Sequence, residues 1–119
     1  MYKIGEFSKI VDLSIKTLRY YDAVGILCPG KIDEFTGYRY YNDENIAEAE
    51  LIKLLKSVNF SLEEILMYKD NLTEDVFEYK KEQILETIKE LRVKYEKLII
   101  LQDNIKKNKD IKVLKKVGW

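Results

Sequence analysis

Apolar residues recur at helical spacing twice near the start of the chain, first at Ile4, Phe7, Ile10 and Val11, then at Ile15, Leu18 and, less strongly, Tyr21. Val11-Asp12-Leu13-Ser14 between them is short and polar enough for a turn. Ser14 is a natural N-cap for the second helix, because its hydroxyl can accept from a free backbone N–H. The first helix starts less well, with Lys3 in the capping place. Two short helices joined by such a turn make a helix-turn-helix. Gly25 suits a left-handed cap at the end of the second helix, and Pro29 forbids its continuation. Ile26 to Tyr41 then reads as a small β-hairpin turning around Glu34-Phe35-Thr36-Gly37 and ending in the strand-favouring Tyr38-Arg39-Tyr40-Tyr41. Asn42 or Asp43 can cap a third helix, with Ile46, Leu51, Leu54, Leu55 and Val58 as its expected apolar face, running to about Asn59. Ser61 with Glu64 three residues on is a capping box for a fourth helix through Leu62, Ile65, Leu66 and Tyr68.

The longest periodic feature follows. Thr73, Glu74 and Asp75 place a cap and acids at the positive end of a helix. Phe77, Ile84, Leu91, Leu98 and Ile105 recur every seven residues, with Ile88 and Tyr95 at the intervening core places and polar Lys81 and Gln102 at two others. Such a stripe predicts a helix paired with another, roughly 43 Å long between residues 77 and 105 at about 1.5 Å per residue. The alternative is a single amphipathic helix packed on its own domain, but the rest of the chain is too small to cover the stripe. Residues 74–90 carry six acids and three bases, and residues 91–109 six bases and two acids. Antiparallel pairing sets these halves against each other and is favoured, although each exposed pair contributes only a few tenths of a kcal/mol. Residues 111–119 partly alternate and read as the beginning of a strand, as if the chain were cut from a longer protein.

Composition narrows the chemistry. The 119 residues contain no histidine and one cysteine, Cys28, so the usual nucleophile–base pairs and common zinc sites cannot be built within one chain. With no Gly-rich phosphate loop and no isolated acidic pair, an enzyme is the distant reading and no cofactor is expected. One cysteine fits a reducing cytoplasm and is read as a small buried residue. No apolar run is long enough to span a bilayer, and the N-terminus lacks the apolar core of a signal peptide. Net charge is zero. A nucleic-acid surface would therefore have to be made from a few placed cations. Residues 1–41 carry six bases and five acids, residues 42–71 three and seven, and residues 72–119 twelve and nine.

Ile4-Gly5-Glu6-Phe7-Ser8-Lys9, Thr17-Leu18-Arg19-Tyr20-Tyr21-Asp22, Gly25-Ile26-Leu27, Pro29 and Gly37-Tyr38-Arg39-Tyr40-Tyr41 together carry a resemblance. The chain resembles the MerR family of bacterial transcription regulators, and within it the multidrug-responsive branch. The likeness is detailed over residues 2–71 and extends in character to the long helix. It implies a mainly α fold: a winged helix-turn-helix with a small β-hairpin wing, two further helices and a long C-terminal antiparallel coiled-coil helix. The implied divisions are 1–71 for DNA binding, 72–108 for dimerisation, and 109–119 as a tail opening a missing effector domain.

The second helix would enter a major groove, with Ser14, Lys16, Thr17, Arg19 and Tyr20 on its exposed side. Lys16 and Thr17 are placed for base edges, Arg19 and Tyr20 for phosphates. Tyr38, Arg39 and Tyr41 of the wing would take flanking phosphates, and Lys56 matches a family position that contacts backbone near the operator centre. The blander readings are that Lys16 is simply solvated, that Arg19 pairs with Asp22 three residues on, and that Tyr21 and Tyr40 are packing residues. The expected dimer interface is Phe77, Ile84, Ile88, Leu91, Tyr95, Leu98 and Ile105. The resemblance further implies a homodimer on a promoter palindrome, control through distortion of double-stranded DNA, RNA polymerase as an indirect partner, and no membrane partner. Its effector would be a small molecule. Metal and redox sensing are disfavoured, because cysteines near or after the long helix are missing. The rival is an interaction protein whose heptad helix recruits a partner.

Overall fold

The computed structural model describes residues 1–108; the strand expected at 111–119 lies outside the described residues. The order is β1 (Tyr2–Lys3), α1 (Ile4–Val11), α2 (Ile15–Val24), β2 (Lys31–Ile32), β3 (Arg39–Tyr41), α3 (Asp43–Ser57), α4 (Leu62–Tyr68) and α5 (Glu74–Asn108). Two compact units meet in sequence at Thr73 and Glu74.

In the first unit the helix boundaries follow the capping chemistry. Ser14 Oγ accepts from the Thr17 N–H at 3.0 Å and starts α2, while Gly25 ends it at a φ of 84°, where a side chain would be strained. Ser61 and Glu64 exchange the two bonds of a capping box, at 2.9 and 3.1 Å. Lys3 offers α1 no side-chain acceptor, and Glu6 supplies half a box by accepting from the Lys3 N–H at 3.2 Å. The other end of α1 is tied from outside: Lys53 Nζ on α3 donates to the Val11 carbonyl at 2.8 Å.

The wing is larger than the hairpin alone. β3 pairs with β2, Ile32 opposite Arg39, and on its other edge with β1, Tyr2 opposite Tyr41. All pairs are antiparallel, giving a three-stranded sheet in the order β1-β3-β2. The hairpin turn falls at the expected residues. Asp33 Oδ1 accepts from the Phe35 and Thr36 N–H groups, each at 2.9 Å, and Gly37 takes a φ of 72°.

The core joins Phe7 and Val11 of α1, Leu18 and Tyr21 of α2, Ile26 and Leu27 of the following loop, and Ile52, Leu55, Phe60 and Ile65. The face expected for α3 is corrected. Asn45, Ala49, Ile52 and Leu55 are its buried residues, while Leu51, Leu54 and Val58 are exposed, Leu54 by 64%. The inner face can include Asn45 because its buried amide is hydrogen-bonded. Its Oδ1 accepts from the N–H groups of Gly30 and Asn42, and its Nδ2 donates to the Cys28 carbonyl and to Glu48.

The second unit is the long helix α5, 35 residues from Glu74. At 1.5 Å per residue it extends roughly 50 Å. Phe77, Ile84, Ile88, Leu91, Tyr95, Leu98 and Ile105 all lie on it, each between 39% and 65% exposed.

Candidate nucleic-acid interface

Helices α1 and α2 and the wing meet at one surface of the first unit. From α2, Lys16, Arg19 and Tyr20 are exposed and Thr17 is half-buried. Ser14 is also exposed, but its hydroxyl is committed to the cap and donates to Thr17 Oγ1 at 2.8 Å. From the wing, Tyr38 is 58% exposed and Arg39 half-exposed. Arg19, Tyr38 and Arg39 line one cleft of about 750 Å³, together with Ile15 and with Lys3 and Lys9 at either end of α1. Lys56 is exposed near the C-terminal end of α3 and does not line this cleft.

One expected contact is overturned. Tyr41 is fully buried, its ring stacked on Phe7 with centroids 4.2 Å apart and planes 9° from parallel. It is a core residue, placed there by β1, which seats it opposite Tyr2 and against α1. Its hydroxyl has no hydrogen-bond partner among the described residues, and burial together with the nearby Asp22 charge pushes its pKa up. Tyr21 is buried as expected, whereas Tyr40 is only half so.

The local pair between Arg19 and Asp22, the blander reading of Arg19, gives way to a longer-range one. Asp22 accepts from Arg39 Nε at 2.7 Å, across 17 residues of sequence, and this bond holds the guanidinium still more firmly protonated. Asp22 thereby joins α2 to the wing. Sequence reasoning missed this role because it weighed only helical neighbours. Lys3 and Lys9 were missed as well; their place away from buried Phe7 and Val11 is the signal that would have found them. Cys28, expected inside, is exposed. Loss of hydration and the Asp22 carboxylate raise its thiol pKa.

Among the described residues no group of three His, Cys, Asp or Glu side chains could hold a metal ion. No helix among them is long and apolar enough to cross a membrane.

Comparison with known proteins gives one consistent answer. Residues 2–72 match the signature of MerR HTH family regulatory proteins. The chain is 43% identical over 82 residues to the multidrug-efflux transporter 1 regulator of Bacillus subtilis (strain 168), an alignment covering 69% of this chain and 30% of that protein. Among solved structures, the EcmrR–DNA complex in EcmrR-RPo superposes with a TM-score of 0.81 at 28% identity, over 92% of this chain and 41% of EcmrR. MtaN, the N-terminus of the Bacillus subtilis multidrug transporter activator, superposes at 0.75 with 25% identity, over 82% of this chain and 94% of MtaN. The chain thus spans about a third of the length of the curated efflux regulator it matches.

Proposed function

The chain belongs to the MerR family of helix-turn-helix regulatory proteins, and from that premise we propose that it is the DNA-binding and dimerising portion of a promoter regulator. Two copies joined through α5 bind a two-fold palindrome in double-stranded promoter DNA and act by distorting it, so that RNA polymerase is affected indirectly. Residues 1–71 form the DNA-binding division, 72–108 the dimerisation division, and a small-molecule effector is sensed outside residues 1–119, all in the cytoplasm.

The observation that carries this reading is the shared cleft, where α2 brings Arg19 and the wing brings Tyr38 and Arg39 to one surface. Cations presented by two elements at one concavity fit a phosphate backbone whose adjoining groove is read by the helix. The EcmrR structure, which carries DNA, supports the same reading. Lys16 and Thr17 are assigned to base edges, Arg19, Tyr20, Tyr38 and Arg39 to phosphates, Lys56 to backbone near the centre, and Ser14 to capping.

The α5 stripe is assigned to antiparallel pairing. Leu91 lies midway between Phe77 and Ile105, so it faces its own copy, with Phe77 opposite Ile105 and Ile84 opposite Leu98. The stripe is also what an adaptor would use to recruit a different helix.

Selection from random duplexes separates the two readings: a regulator enriches a two-fold palindrome and an adaptor does not. On the selected duplex, Arg39→Ala is expected to weaken binding and to flatten the slope of log affinity against log salt by about 0.9, as one phosphate contact is lost. An unchanged slope would remove Arg39 from the interface.

A further inference from the structure

An acid in the last turn of a helix opposes the partial negative charge of the free carbonyls there. Asp22 occupies such a place in α2, whose last turn holds no basic residue. The offsetting cation arrives from the wing: Arg39 Nε donates to Asp22 Oδ2 at 2.7 Å, with 15% of the Asp22 side chain and 39% of the Arg39 side chain exposed. The bond uses Nε. Among the described residues it leaves the two terminal amino groups of the guanidinium unbonded, on a rigid planar fork that lines the cleft with Arg19. Besides joining α2 to the wing, this locally unfavourable acid fixes the direction of a half-exposed arginine.

We propose that Asp22 is a positioning residue for DNA binding: it anchors one edge of the Arg39 guanidinium so that the other edge is held ready to donate two N–H bonds to a phosphate. The inference rests on the DNA-binding reading above and assigns a task to a residue that reading leaves idle. Without Asp22, the arginine would have to be ordered when the duplex arrives, which lowers affinity. Electrostatics alone predicts the opposite sign, because removing a carboxylate beside a polyanion strengthens binding. The direction of the change decides between them.

The test uses the 119-residue chain and a fluorescein-labelled duplex selected by that chain from a random library, read by anisotropy. Asp22→Asn is expected to weaken binding roughly three- to tenfold, the size associated with ordering one long side chain. In an Arg39→Ala background the same substitution is expected to leave affinity unchanged or raise it, since no arginine remains to be positioned. Equal or tighter binding by Asp22→Asn alone overturns the proposal. So does an equal loss in both backgrounds, the behaviour of a residue with a merely structural role. Urea unfolding of each variant confirms that folded protein is being compared.

Should Asp22→Asn fail to fold, Arg39→Lys carries the test. It keeps the charge but loses the fork, and a loss close to that of Arg39→Ala is expected; full retention overturns the proposal. If the unaltered chain selects no duplex, the DNA-binding reading falls, and this role with it.

Discussion

The head, Met1–Thr73, and the helix that follows it solve opposite problems with similar residues. The head hides its large apolar side chains: Phe7, Leu18, Ile26, Leu27, Ile52 and Ile65 are all essentially inaccessible. Helix α5 leaves a comparable set in water, from Phe77 to Ile105. A monomeric protein rarely exposes so long an apolar stripe, because each side chain returned to an apolar setting contributes about 1.5–3 kcal/mol. The difference teaches where each region's stability resides. The head's lies in its own core, whereas α5 keeps its apolar stripe exposed, as the proposed pairing requires.

The sharpest way to break this contrast is a charge in the middle of the stripe. Leu91→Glu sets two carboxylates together if copies meet antiparallel, and it is expected to leave a monomer at micromolar concentration by sedimentation. The unaltered chain is expected to sediment as a dimer there. A dimer that survives the substitution would show that Leu91 is not at the seam.

Next in size is a pair of neighbours on α3. Ile52→Ala removes buried volume and is expected to cost about 2–5 kcal/mol in urea unfolding at fixed concentration. Leu54→Ala, two residues on, is expected to cost about 0.5 kcal/mol or less. Equal costs would reverse the inward and outward faces assigned to this helix.

Tyr41→Phe probes the head more gently. It keeps the ring stacked on Phe7 and removes a hydroxyl without a described partner. Stability is expected to hold within about 1 kcal/mol or to rise. A loss of more than that would mean the hydroxyl is bonded.

The smallest effect concerns the wing turn. Bonds from the Thr36 and Phe35 amides hold the Asp33 carboxylate below its ordinary value of 3.8. A depressed folded pKa stabilises the turn above the unfolded value, and that contribution is lost as pH falls through the lower folded one. The Phe35 and Thr36 amide resonances should therefore titrate with a midpoint below 3.8. A midpoint at or above it would dissolve the turn's claim to order.

Local chemistry was readable from the residues alone. Ser14, Gly25, Ser61 with Glu64, and the turn ending at Gly37 mark boundaries through bonds spanning a few residues, and the heptads of α5 repeat without needing tertiary context. What escaped depends on chain segments brought together from afar. β1 is two residues long, too short to show a period, yet it decides that Tyr41 faces α1. The inner face of α3 was sought among the largest apolar residues, whereas burial falls on Asn45 and Ala49, because Asn45 finds partners in the loop from Cys28 to Gly30 and at Asn42 and Glu48. Arg39 and Asp22 belong to different elements, and sequence spacing carries no trace of their bond. The same holds for Lys3 and Lys9, whose value lies in sharing a cleft with Arg39.

The Asp33 turn has a kinetic meaning as well. With its loop closed by two side-chain bonds and its strand paired on both edges, the wing has little freedom left to surrender. Whatever meets it meets a finished shape. Encounter is then expected to be timed by diffusion and by charge, with differences among partners falling mostly on how long each one stays.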